Sequence, residues 1–378
     1  MSIRRHVDAF VKVQEAKNQL VETLRGLLDR VDLGPLRRQG FEKLSEDRLV
    51  RSFEASDVTG KKIVSVDGGY QSRRFANFVF LLARAIGGVF RFFPSETPRV
   101  KYYPHASQNF RVEVFHKPQA IRAHDVHASV ERATMEVELV NRILDEEDGV
   151  DLVIMDGSVL AEGPDGALDD DEASAKYSRL LREYYKLYRR CVHDGVLLAG
   201  CVKDSQSCRV ARSLSEALPM LVGVEPALAP LLNYHYRDVL AYFNDQALFR
   251  GLLDVGQRSC TFRASPNQKP LGSLKVDFFA FYARFSAEDD PLRVEFLVEN
   301  DPSAPASASV RADALAGALH PLSSSHRAYS VPTPQIEVHR RAKVTTQDLE
   351  FHLSRFLGRL SPADALSLTL RRRDRRPF

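Results

Sequence analysis

The sequence predicts an α/β protein whose core sheet carries strands in mixed directions. Three observations predict it. Short apolar runs of strand length alternate with long stretches of helical periodicity. Two of those runs, Ile63-Val64-Ser65-Val66 and Leu152-Val153-Ile154-Met155, lead directly into Asp-Gly. A late pair of runs, 274–285 and 292–298, has the length and spacing of an antiparallel hairpin.

Taken in order, residues 6–30 read as a helix, with Val7, Phe10, Leu20, Leu24 and Leu28 among the apolar positions. Residues 61–67 read as the first strand, ending on Asp67. The run FANFVFLLARAIGGVFRFF, 75–93, has room for two buried strands, or a strand and a short helix, divided at Gly87-Gly88. Residues 111–115 alternate like a strand, 125–147 like a helix, and 151–156 form the next strand. The loop 162–174 carries Asp169-Asp170-Asp171. Consecutive acids on a loop do not converge on one point, so they read as solvated. A helix at 174–192 and a buried strand ending at Lys203 follow. Residues 210–270 are mixed in pattern, 301–314 read as a turn and helix start, and 345–360 as a helix capped by Thr345 or Thr346.

The totals set limits. With 378 residues, 44 % hydrophobic and 27 % charged, the chain has the make-up of a water-soluble globular protein with a sizeable core. A net charge of +3 says little about partners. The basic end from Arg371 to Arg376 suits an acidic partner or a solvated tail. Cys191, Cys201, Cys208 and Cys260 form no CxxC pair, which excludes a zinc ribbon. No apolar run reaches the roughly 20 residues of a membrane span and no leader is evident, so the expected location is cytoplasmic.

The chemistry rests on the carboxylates. If the strands ending in Asp67 and Asp156 are neighbours, the two acids emerge side by side. Close carboxylates repel unless a cation lies between them. Hard oxygen ligands at a strand end suit Mg²⁺ or Mn²⁺, which activate water in phosphodiester cleavage. The plainer alternative is that Asp-Gly is a turn after a strand. On the helix before Asp156, Glu138 shares a polar face with Glu131, Thr134, Asn141 and Asp145. Glu136 falls in the apolar stripe with Leu139 and Val140, where an unpaired carboxylate is costly. Pairing with Arg132 and facing a metal are both open to it, with Glu138 in reserve. Lys203 ends a strand, where a lysine meets a phosphate or is an ordinary loop cation. His339 lies in PTPQIEVHRRA, before Arg340-Arg341.

Together, the IVSVDGG strand, the glutamate-bearing helix before IMDGSVL, the strand ending at Lys203 and the PTPQIEVHRRA segment resemble the NurA nuclease family. The resemblance implies an RNase H-like mixed sheet flanked by helices, with further N- and C-terminal helical segments. On this reading 1–55 is an N-terminal helical segment, 56–360 the nuclease domain and 361–378 a basic tail. It implies a homodimer that cuts DNA with Mn²⁺ (or Mg²⁺), as a 5′→3′ exonuclease and single-strand endonuclease. The partner would be a HerA-type hexameric translocase, in end resection, repair or defence. Asp67, Glu136 and Asp156 match the family's metal acids, and His339 its late histidine, with Val338 where alanine is usual. Tyr329 stands near the position of a family tyrosine, at a different spacing. Two other readings compete. One is an actin- or sugar-kinase-like ATPase using the two Asp-Gly strand ends as phosphate loops. The other is a non-catalytic scaffold that docks on a translocase.

Overall fold

The longest apolar run forms one strand, and the reason is burial on both faces. In the computed structural model the strands in chain order are β1 (Val50–Ser52), β2 (Lys62–Arg74), β3 (Val79–Arg91), β4 (Arg99–Tyr103), β5 (Arg111–Phe115), β6 (Leu152–Asp156), β7 (Leu197–Val202), β8 (Gln257–Ser259), β9 (Phe262–Arg263), β10 (Val276–Arg284) and β11 (Leu292–Glu299). On β3, Val79 and Leu81 pack with Phe115, Ile121 and Ala128. Phe80 and Leu82 point the other way, into a cluster with Phe75, Phe78, Leu349 and Leu353. A strand covered on both sides needs apolar residues at every position, which hides the usual alternation. Gly87-Gly88 therefore does not divide the run. A side chain at Gly87 would strike Ile143 and Val66, and one at Gly88 would strike the Phe90 ring. The structure describes residues 3–39, 41, 43–75, 77–94, 96–104, 110–161, 171–233, 235–265, 274–301 and 303–369. Asp169, Asp170 and the arginine-rich end lie outside them.

The chain divides into two compact units. The first comprises 1–58, 156–160 and 197–333, and the second 59–155, 161–196 and 334–378. The boundary cuts β6 just before its last residue.

In the second unit β2 and β3 form a long antiparallel pair, from Lys62↔Arg91 to Arg74↔Val79. β4 and β5 pair antiparallel with successive parts of β3. β6 pairs with β2 in parallel, Ile63↔Leu152 to Val66↔Met155. The sheet is thus mixed, as expected. The His124–Glu146 helix packs on β2 and β3, and the Thr346–Leu357 helix on β3. A capping box starts the latter: Thr345 and Asp348 exchange side-chain and backbone hydrogen bonds.

One buried acid ties the edge of this unit together. Glu147 accepts hydrogen bonds from Lys101 (2.8 Å), Lys62 (3.1 Å) and the Tyr103 hydroxyl (3.0 Å). The Lys101 bond, opposed by burial and helped by Lys62 and Tyr103, holds its carboxyl down at about 2. A depressed carboxyl stabilises the fold above its ordinary value of 4.5, and that contribution fades as pH falls toward about 2. Glu147→Gln is therefore expected to lower the melting temperature at pH 6. Its deficit relative to the parent protein should shrink in melts taken from pH 4.5 down to pH 2.

In the first unit β10 and β11 form the expected antiparallel pair, Val276↔Glu299 to Ala283↔Leu292. β7 pairs with β11, and β8 bridges β10 to β1, all antiparallel. The Ala304–Ser323 helix packs on β10 and β11 through small residues, among them Ala308, Ala312 and Ala316. Arg258 is fully buried and binds Glu46 through Nη1 and Nη2, at 2.7 and 2.9 Å. Among the described residues no helix is long and apolar enough to cross a membrane.

Candidate metal centre and active site

Asp67 does not end its strand. β2 runs on through Asp67-Gly68-Gly69 to Arg74, hydrogen-bonded to β3 throughout. This corrects the expected strand end at 67, and with it the phosphate-loop reading, because no loop forms there. The two glycines serve the opposite faces of one strand. A side chain at Gly69 would run into the Ala342 carbonyl. A side chain at Gly68 would meet Oε1 of Glu136 at 2.7 Å and Arg132 at 2.9 Å. With alternation along the strand, Asp67 and Gly69 face the Thr333–Ala342 helix, and Gly68 faces the His124–Glu146 helix.

Asp67 is 1 % exposed. Its Oδ2 lies 2.5 Å from Nδ1 of His339, and its Oδ1 accepts a hydrogen bond from the Gly68 amide at 2.7 Å. The imidazole itself is largely exposed. One ring nitrogen is thus engaged by a buried carboxylate while the ring remains open to solvent, the arrangement of an oriented base or ligand. The helix beneath it is pinned from the other side. Glu337 accepts hydrogen bonds from Tyr102 Oη and Arg341 Nε, both at 2.7 Å. Arg341 also stacks on the Tyr102 ring, 3.9 Å from its centroid. Burial pushes the Glu337 carboxyl up, but these bonds outweigh it and hold it below the ordinary range. Tyr102 and Glu337 escape a sequence reading. Only the Glu337-to-Arg341 spacing, four apart on a helix, signals that pair.

Because Gly69 seats Ala342, Gly69→Ala is expected to push the end of this helix off β2. A cost of ~1–3 kcal/mol should appear in urea unfolding, together with a loss of activity through His339. Gly149→Ala, where the added Cβ meets nothing within 4 Å but φ is +66°, serves as the control for backbone strain alone.

Glu136 is buried and receives Arg132 Nη1 at 2.7 Å, the pairing its spacing allows. Its position over Gly68 puts it on the face of β2 opposite to Asp67 and His339. Glu138 is half-buried and pairs with Arg111 and Arg179, whereas Glu131 and Thr134, expected to share its polar face, are buried.

Asp156 closes β6 and opens the segment assigned to the first unit. Here the Asp-Gly turn is real: Gly157 has φ +88°, and its amide donates to the Cys201 carbonyl at 3.0 Å. Gly200 on β7 makes room, since a Cβ there would lie 2.7 Å from the Gly157 carbonyl. Lys203 Nζ reaches both Asp156 oxygens, at 3.0 and 3.1 Å. Ser158 Oγ donates to Glu295 at 2.5 Å, and Arg293 holds the same glutamate at 2.7 Å. Sequence reasoning missed Glu295. Its signal is a pair of charges, Arg293 and Glu295, inside an apolar strand. Tyr329 is exposed, with its ring edge against His326.

The parallel register sets Val66, the residue before Asp67, opposite Met155, the residue before Asp156. Asp67 and His339 in the second unit and Asp156 in the first each offer one metal-ligand atom. The donor types fit: two carboxylates and an imidazole suit Mn²⁺, and the oxygens alone suit Mg²⁺.

The NurA domain profile matches residues 61–344. No curated protein sequence matches the chain. Among solved structures, the fold is similar to the NurA nuclease from Sulfolobus solfataricus, with TM-score 0.53, 14 % identity, and 95 % of this chain and 98 % of that one covered. A NurA structure with manganese matches with TM-score 0.43 and 14 % identity over 95 % and 99 % of the two chains. A third, bound to dAMP and manganese, matches with TM-score 0.40 and 12 % identity over 98 % and 100 %. The profile match spans the strand bearing Asp67, the helix bearing Glu136, the strand bearing Asp156 and the helix bearing His339, and on it the chain belongs to the NurA domain family.

Proposed function

We propose that this chain is a metal-dependent DNA nuclease with an RNase H-like core spanning residues 56–360. Asp67, Glu136 and Asp156 hold Mn²⁺ or Mg²⁺, with His339 beside them. The observation that carries the reading is the buried Asp67 carboxylate, 2.5 Å from His339 and one step along from the Val66↔Met155 pair that leads into Asp156. A divalent cation at such a site supplies a Lewis acid and an activated water. The protein's own groups do the rest. Asp67 fixes the imidazole, leaving His339 to take a proton from water or return one to the leaving oxygen. Lys203, at Asp156, neutralises that carboxylate and presents a point charge for a phosphate oxygen. Glu136 packs over Gly68, the one residue type that lets it approach the strand, and its assignment to the metal rests on the family resemblance. The reaction is hydrolysis of a phosphodiester, and contacts to the backbone make it largely indifferent to sequence. Tyr329 is a weaker candidate for a role near the substrate.

Family membership supports the finer assignments: 5′→3′ exonuclease and single-strand endonuclease activity, a homodimer, and work with a HerA-type translocase in end resection, repair or defence. The expected location is the cytoplasm.

The test is metal binding without turnover. Mn²⁺ titrated into the protein is followed by the electron paramagnetic resonance signal of the free ion. The proposal expects the parent protein to quench that signal and Asp156→Ala to quench it much less. Equal quenching by both removes Asp156 from the site, and no quenching by either favours the scaffold reading.

A further inference from the structure

A row of rings and guanidinium groups runs across the second unit from the helix that carries His339. Arg84 stands opposite Gly69 in the β2–β3 register, and its Nε donates to the Ala342 carbonyl at 3.3 Å, three residues past His339. The Arg84 guanidinium lies over the Phe110 ring, 5.1 Å from its centroid. Phe110 meets His352 at 5.0 Å, and His352 meets Phe351 edge-on at 5.3 Å. Arg355 closes the row, 5.6 Å from the Phe351 centroid. Phe351 is 55 % exposed. Helix geometry sets it there, opposite the buried face. The same helix buries Leu349 and Leu353 in the core with Phe80, and its capping box fixes where it starts. The helix therefore holds the Phe351 ring in water beside Arg355, and His352, Phe110 and Arg84 continue the row as half-buried groups. The two acids on this helix's first turns are already engaged, Asp348 in the cap and Glu350 with Arg73 at 2.6 Å.

We propose that the row Arg84–Phe110–His352–Phe351–Arg355 is a stacking platform for the bases of single-stranded DNA leading to or from His339. The assignment rests on the nuclease reading and adds a strand preference to it. Stacking on exposed rings between basic groups accepts any base, because every base has a π-face, whereas bases inside a duplex are already stacked. An isolated exposed phenylalanine shielded by one arginine would need none of the three further partners. Continuity with the Ala342 carbonyl is what ties the platform to the site.

The experiment measures binding of a fluorescein-labelled oligothymidine by anisotropy in EDTA, beside an abasic oligomer of equal length and a blunt duplex. Phe351→Ala is expected to weaken oligothymidine binding about tenfold and leave abasic and duplex binding unchanged. Phe351→Trp should restore it. With Mn²⁺ present, Phe351→Ala should raise KM for the single strand and leave kcat unaltered. Unchanged oligothymidine affinity in a Phe351→Ala protein that still cuts DNA overturns the platform and spares the nuclease. Equal weakening on the abasic oligomer overturns it as well, since no base is there to stack. A parent protein that neither binds nor cuts any of these DNAs overturns the nuclease reading itself.

Discussion

Replacing Asp67 with alanine is expected to abolish metal-dependent DNA cleavage while leaving the fold intact. Three roles meet at this one carboxylate. It is buried in the middle of β2, it holds His339 at 2.5 Å, and it directly follows Val66, the partner of Met155 in the sheet register. On the proposed reading, removing it takes away a cation ligand and frees the imidazole together. A rise of ~4 kcal/mol in the barrier, about a thousandfold fall in rate, follows from losing the charge stabilisation a metal supplies. The fold should survive. β2 is paired through its backbone along its whole length, and the His339 helix stays anchored through Glu337, Tyr102 and Arg341. Asp67→Asn keeps the shape and a hydrogen-bonding oxygen but not the charge, so it should be nearly as inactive. Circular dichroism melts within a few degrees of the parent protein, set beside a cleavage time course, check both halves. A variant that cuts at the parent rate removes Asp67 from the site.

The largest effect on stability is expected from Glu46→Ala. Glu46 accepts both nitrogens of the fully buried Arg258, the Thr261 amide at 2.6 Å and the Ser309 hydroxyl. Burial alone would raise its carboxyl, but the Arg258 hydrogen bond and charge outweigh it and keep the group ionised. Alanine leaves a guanidinium in the core with Asp313, Ser309 and backbone carbonyls as its remaining partners. Breaking a buried pair from one side costs ~3–5 kcal/mol, to be read in the urea midpoint of the first unit. Glu46→Gln, which keeps the shape and loses the charge, should fall between. If Glu46→Ala costs under ~1 kcal/mol, the pair behaves as a surface contact and the account of this core is wrong.

Much of the sheet was legible because strand-length apolar runs are hard to place elsewhere. The pair β10 and β11, the strand closing at Asp156, and the helix at His124–Glu146 all follow from run length and period. So does the contrast between Glu136 in the apolar stripe and Glu138 among arginines. The two Asp-Gly sequences look alike as text and differ in the fold. Gly157 takes a left-handed φ and turns the chain, whereas Gly68 and Gly69 stay in a strand and are small because Glu136 and Ala342 press on it. No local signal separates a glycine chosen for its φ from one chosen for clearance. The same limit split β3 at Gly87-Gly88. Between 210 and 270 the pattern blurred because Pro219 sits inside the Arg209–Val224 helix and Pro230 inside a 3₁₀ turn. Long-range pairs such as Glu46–Arg258 and Tyr102–Glu337 depend on which elements meet, and neither partner's sequence neighbours carry that information.

The measurement that bears most directly on the central claim is cleavage itself. Purified protein is incubated with end-labelled single- and double-stranded DNA in Mn²⁺, in Mg²⁺ and in EDTA. The account predicts degradation with a divalent cation and none in EDTA. Degradation that persists in EDTA would contradict a metal-dependent site. Intact DNA under every condition, with a HerA-type translocase added as well, would contradict the nuclease.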